Sequence, residues 1–270
     1  MKALKISLLS LALLSLAPSA QAHRSWLLPN LGHVTGKEVW VSVDAAVSED
    51  LFEFGNALAV DALSIQGPDG KPLSAEPRIA ARHRNSFEVK LVAPGSYRFS
   101  ATQDSVMASY KQGSESKRWR GSLAELAKNV PADAAELKVT QMLTRLDTFV
   151  SKDRAGQPNF SVQGQGLELQ ALGPVTELSD GDETRVRLLL DGKPLPEASV
   201  TLIRDGNKYR YKMGEQTLKS DAQGELTLRW AEAGRYWLGF NHSVGAAGGG
   251  SLEQPLKRYR YSATFEVLPK

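Results

Sequence analysis

Four histidines, His23, His33, His83 and His242, carry the metal-ligating nitrogens of a 270-residue chain that contains no cysteine. His23 stands apart from the others. It follows Ala20-Gln21-Ala22, whose two alanines are the small residues that precede an export cleavage site, so cleavage after Ala22 makes it the mature N-terminus. An N-terminal histidine offers two nitrogen donors, the free α-amine and the imidazole, which close a chelate ring on one ion. One further imidazole completes a T-shaped nitrogen site, and tetragonal nitrogen coordination is the geometry Cu(II) and Ni(II) favour. A reverse turn after His23 would bring His33 to the same ion, and His242 reaches it if the two ends of the chain meet in space. The expected metal site is therefore His23, His33 and His242, holding a divalent transition metal (Ni, Co or Cu). His83 lies between Arg82 and Arg84, whose charges oppose a dication, and reads as a surface histidine.

The stretch ahead of His23 has the three parts of a leader: basic Lys2 and Lys5, an apolar run from Ile6 to Leu16, and Pro18 before the small residues. The run is shorter than the roughly 18–20 apolar residues of a membrane span. Residues 1–22 are thus expected to be a cleaved signal peptide, and the mature protein a periplasmic one with no direct membrane insertion. Removing Lys2 and Lys5 takes the formal charge from +3 to +1, which gives no global attraction for nucleic acid. Absence of cysteine excludes disulfides and thiolate metal sites. No Gly-x-Ser-x-Gly elbow or His-Glu-x-x-His helix is present, so the chain is read as a non-enzyme.

The elements that must position the histidines are strands. Trp26-Leu27-Leu28-Pro29 is an apolar cluster able to pin the new terminus. Glu38 to Asp44 alternates with Val39, Val41 and Val43 on one face, and Ser86 to Leu91 places Phe87, Val89 and Leu91 inward, the period of half-buried strands. Ser48 to Asn56 mixes acids with aromatics and reads as a solvated loop. Ser105 to Gly121 is polar and basic around Tyr110 and Trp119, and reads as a connector. Ser122 and Glu125 form a capping box ahead of a short helix that Pro131 ends, and Thr140 to Val150 is extended.

The second half echoes the first. Asp191-Gly192-Lys193-Pro194-Leu195 repeats Asp69-Gly70-Lys71-Pro72-Leu73, and Ala233-Gly234-Arg235-Tyr236 parallels Pro94-Gly95-Ser96-Tyr97. The second copy has a longer interval between the two motifs, which an extended hairpin over Arg204 to Ser220 would supply. These features predict an all-β chain of two antiparallel β-sandwich domains with one short helix in the connecting region. The expected organisation is residues 23–104, an N-terminal sandwich; 105–163, a connecting region with the helix and an extended strand; and 164–270, a C-terminal sandwich.

The start His23-Arg24-Ser25-Trp26-Leu27-Leu28-Pro29, the middle Ser105 to Lys111 with Lys117-Arg118-Trp119-Arg120-Gly121, and the end Tyr261 to Pro269 resemble the DUF4198 family. The resemblance covers essentially the whole mature chain. It implies an exported bacterial protein related to periplasmic components of nickel or cobalt uptake systems, a mature start at histidine, and an immunoglobulin-like or transthyretin-like C-terminal domain over Gly166 to Pro269. Relatives often carry a histidine in the loop that here reads Phe52-Glu53-Phe54-Gly55-Asn56, so either His33, His242 or a carboxylate replaces it or the site is lost.

Three functions are consistent with these residues. The leading one is a periplasmic metal-binding protein accessory to transition-metal uptake, handing its ion to an inner-membrane or outer-membrane metal transporter. The others are a β-sandwich partner-binding or adhesion module, and a histidine-brace copper oxygenase, a class that also begins with histidine on a β-sandwich.

Overall fold

The computed structural model describes residues 23–60, 62–76, 79–131 and 133–270; the expected signal peptide lies outside the described residues. Among the described residues fourteen strands of four or more residues form the fold, with shorter pairings between them. In the first half these are β1 (Arg24–Pro29), β2 (Val39–Ser48), β3 (Ala62–Gln66), β4 (Asn85–Leu91), β5 (Gly95–Gln112) and β6 (Glu115–Gly121). The helix α1 (Leu123–Asn129) and β7 (Ala135–Lys152) follow. The second half contributes β8 (Leu167–Ala171), β9 (Glu183–Leu190), β10 (Ser199–Arg204), β11 (Gln216–Lys219), β12 (Glu225–Arg229), β13 (Gly234–Val244) and β14 (Leu256–Leu268).

Three sheets result. A small one orders β1, β2 and β4; another joins β8, β9 and β12; and a long one runs β11-β10-β13-β14-β7-β5-β3, with β6 added beside the far half of β5. Pairing is antiparallel except at a few junctions, of which β7 with β14 is the longest, and that parallel pair welds the two halves into one sheet.

Because side chains alternate across a strand, the long sheet serves a different core on each face. On one face Tyr97, Phe99 and Ala101 of β5 with Leu146 and Val150 of β7 meet Leu27, Val41, Val43, Phe87 and Val89 of the small sheet. On the other, Phe149 of β7 and Tyr259, Tyr261, Ala263 and Phe265 of β14 pack with Leu169, Leu188, Leu228 and Trp230. The fold is two β-sandwiches, as expected, but they share their central sheet.

The expected connector 105–163 is built into that sheet. Its first residues continue β5, which pairs β6 in a polar hairpin, and its extended strand is β7, placed between β5 and β14. The helix begins where the capping box predicts: the Glu125 carboxylate accepts the Ser122 backbone N–H and hydroxyl at 3.2 and 2.9 Å, contacts that hold it below the usual glutamate range. Leu126 and Val130 then cover Val106, Ala108 and Val139.

The two echoes differ in what they mean. The shared pentapeptide occupies unlike turns: Asp191 and Gly192, both at positive φ, make a two-residue hairpin between paired Leu190 and Lys193, whereas Gly70 sits in the longer loop between paired Gln66 and Pro72. The tyrosines are equivalent. Tyr97 and Tyr236 both enter strands two residues after a positive-φ glycine, and each hydroxyl returns four residues to donate to a backbone carbonyl, Ala93 at 2.6 Å and Glu232 at 2.8 Å. Burial raises both phenols above their ordinary value. Replacing either tyrosine by Phe is expected to cost about 1 kcal/mol, the worth of a typical hydrogen bond. In urea titrations the double variant should lose about 2 kcal/mol, because the residues serve separate cores.

Candidate functional site

A cavity of about 540 Å³ opens where β1 crosses the long sheet, and His23 stands exposed at its edge. β1 is held there from both sides. It pairs with β2 through its whole length, Arg24 opposite Ser48 to Pro29 opposite Val43. Its carbonyls face the long sheet: Ser25 O accepts the Trp237 indole N–H at 3.0 Å and the Ser262 hydroxyl at 2.9 Å, and Leu27 O accepts the Thr264 hydroxyl at 2.6 Å. Trp26 is fully buried against Phe52 and Phe54, ring centroids 5.6 Å from each, and its N–H donates to the Ser48 hydroxyl. The terminal strand is thus anchored up to Arg24, one residue from His23.

The floor is aromatic. The Trp237 ring lies across Gly239, where an added Cβ would sit 2.0 Å from the indole edge, so glycine is what lets the ring lie flat. The walls come from β13 and β14 with Gly239, Asn241, Arg260 and Ser262, from Thr144 of β7 and from Thr201 of β10. The remaining side is closed by Met213 and Glu215 of the long β10–β11 hairpin, the segment expected over Arg204 to Ser220. That hairpin is fastened to the first half: Asn207 accepts the Leu51 N–H at 3.2 Å and donates to Asp50 at 3.1 Å, and Lys208 approaches Glu53. The acidic loop Ser48 to Asn56 is therefore docked through Asp50 and Leu51 rather than wholly solvated. Arg24 pairs with Glu215 at 2.5 Å and lies 5.8 Å over the Trp237 ring.

The three histidines of the expected site are not brought together. β1 is an extended six-residue strand, not a reverse turn, and it carries the chain about 20 Å from His23 before His33 is reached. His33 pairs beside Ser151, its Nδ1 2.9 Å from the Ser151 hydroxyl and 3.4 Å from Glu177. His242 is opposite Tyr259, which is level with Leu143 of β7. Ser151 and Leu143 are eight residues apart, so His33 and His242 are separated by about 26 Å along the sheet. His242 also shares the strand parity of Tyr236, Leu238 and Phe240, which face the C-terminal core, while Trp237, Gly239 and Asn241 face the cavity. The two halves do meet, but with the sheet between His23 and His242. His83, with Nδ1 2.9 Å from the Gly55 carbonyl, is elsewhere on the surface.

Among the described residues, no group of three or more His, Cys, Asp or Glu side chains is arranged to hold an ion. The donors gathered at the cavity are instead mixed: His23, the Met213 thioether, the Glu215 carboxylate and the Asn241 amide. Sequence reasoning found only the first. The Trp237-x-Gly239-x-Asn241 alternation was the available signal for a second exposed face on β13.

No curated protein matches the chain. Among solved structures, the D0–D1 domain of intimin aligns with 89% of this chain and 97% of its own at 13% identity and a TM-score of 0.22. A DUF4785 family protein from Legionella pneumophila aligns with 87% at 12% identity and a TM-score of 0.24, the match spanning 54% of that protein's chain. The chicken CNTN1 FN1–FN3 domains align at 9% identity and a TM-score of 0.19, over 87% of this chain and 97% of theirs. The family model for a domain of unknown function, DUF4198, matches residues 20–244, most of the length and all but the last strand, and the chain belongs to that family.

Proposed function

We propose that the chain is an exported transition-metal-binding protein of the periplasm, in which cleavage after Ala22 frees the His23 amine, and that it passes its ion to a membrane transporter. The observation that carries this reading is the position of His23: an exposed residue directly ahead of an anchored strand, at the edge of a cavity that also presents Met213. The amine and imidazole supply a two-nitrogen chelate, and the Met213 thioether is the further donor the cavity offers in place of His33 and His242, Glu215 being paired with Arg24. Imidazole suits nickel and copper alike, whereas a thioether favours copper.

The test is calorimetric titration of Cu(II), Ni(II) and Co(II) into mature protein whose first residue is verified by mass spectrometry, beside the same protein carrying one extra N-terminal residue. The native terminus should bind one ion, and the extended form should bind it at least tenfold more weakly, about 1.4 kcal/mol, since its His23 nitrogen is an amide. Equal binding by both forms would remove the terminal chelate, and binding by neither would leave a partner-binding β-module.

A further inference from the structure

The cavity is far larger and more cationic than a bare ion needs. A volume of about 540 Å³ is that of a small-molecule site, whereas one water occupies about 30 Å³ of liquid. Its one bordering carboxylate, Glu215, is already committed to Arg24. The groups left over can each donate a hydrogen bond, Arg260 exclusively so: Thr144, Thr201, Asn241 and Arg260 line the walls, and none has a side-chain hydrogen bond or ion pair among the described residues. Arg258, two residues before Arg260 on the same face, is exposed and free in the same sense. A dication at His23 alone would face the Arg260 guanidinium with nothing on that wall to neutralise it, and like charges repel.

From this we propose that the cavity binds the metal as a complex with a small polycarboxylate, the ion capped by the His23 nitrogens and the carboxylate arms held by Arg260 with the Thr144, Thr201 and Asn241 side chains. The inference rests on the metal-binding reading and adds the ligand that travels with the ion. A planar guanidinium accepts a carboxylate in two parallel hydrogen bonds, which fits Arg260 to this task. The negative charge of the complex turns the repulsion of a bare cation into attraction. The Trp237 floor, fixed by its bond to Ser25 and by Gly239 beneath it, gives the organic part of the complex an apolar surface.

Citrate separates the two cases sharply, because in solution it withholds metal from any site that takes the bare ion. Ni(II) and Cu(II), each alone and as the 1:1 citrate complex, are titrated into the mature protein and into its Arg260→Gln variant, with citrate alone as a further arm and thermal melting to verify folding. The expected result is that citrate raises the apparent affinity of the native protein for metal about tenfold or more, and lowers it for Arg260→Gln. If citrate lowers the affinity of the native protein, the polycarboxylate proposal is overturned while metal binding at His23 stands. If the gain persists in Arg260→Gln, the assigned carboxylate site is wrong. If neither the metal nor its complex binds, both readings fall. Citrate binding that is indifferent to metal would leave an anion site and overturn the proposal of a joint complex.

Discussion

Glu168→Ala is expected to lower the unfolding free energy by about 3–5 kcal/mol, the cost of removing one partner from a buried ion pair. Glu168 is 1% exposed and Arg145 9%, and their side chains meet at 2.9 Å on the face of the sheet that the C-terminal core covers. The same carboxylate accepts backbone N–H groups of Gln163 and Gly164, both at 2.7 Å, and of Gln165 at 3.3 Å. Alanine therefore strands a buried guanidinium and three amides at once. At this chain length the midpoint of thermal unfolding should fall by roughly 6–10 °C. Glu168→Gln, which keeps an acceptor for the amides but not the charge, should lose less. A change below about 1 kcal/mol in denaturant titrations of Glu168→Ala would show that the segment entering β8 is held by other contacts.

The second large effect is expected at Gly239. An alanine there places its Cβ within 2.0–2.7 Å of three atoms of the Trp237 ring, so the indole must leave the cavity floor. It then loses its hydrogen bond to Ser25 and its packing beside the Trp26 cluster. The direct cost should be about 1–3 kcal/mol, as for other overpacked sites. The greater consequence is for β1, which gives up one of its three side-chain ties to β13 and β14. Gly239→Ala should show altered tryptophan fluorescence, faster proteolysis near His23 and at least tenfold weaker metal binding. A variant that melts lower yet binds metal as well as the native protein would separate the ring from the site.

What the chain discloses from its letters alone follows the range of each interaction. The alternations at Val39 to Val43 and Ser86 to Leu91 read as strands because each buries one face locally. The Ser122 capping box and the Tyr97 and Tyr236 corners were legible for the same reason, every partner lying within four residues. The far half of β5 was hidden, since its hairpin with β6 is polar on one face and covered by a single helix on the other. Partner choice is not local either: nothing in Leu256 to Leu268 announces parallel pairing with β7. At the site, His23 was found by the leader ahead of it. Arg260, Trp237 and Asn241 were not, because their role depends on β1 crossing the outer face of strands more than two hundred residues away.

The position of β14 also sets the order in which this molecule can be completed. β14, synthesised after every other strand of this fold, lies inside the long sheet, between β13 and β7, and supplies Tyr259 to Val267 to the C-terminal core and Ser262 and Thr264 to the anchoring of β1. A nascent chain that has not reached Leu256 therefore holds two half-sheets, each with an unpaired inner edge open to wrong partners. Neither the join between the halves nor the lodging of the first strand can finish before the thirteen residues of β14 arrive. Truncation before Leu256 should leave a protease-sensitive chain that aggregates rather than a smaller folded protein.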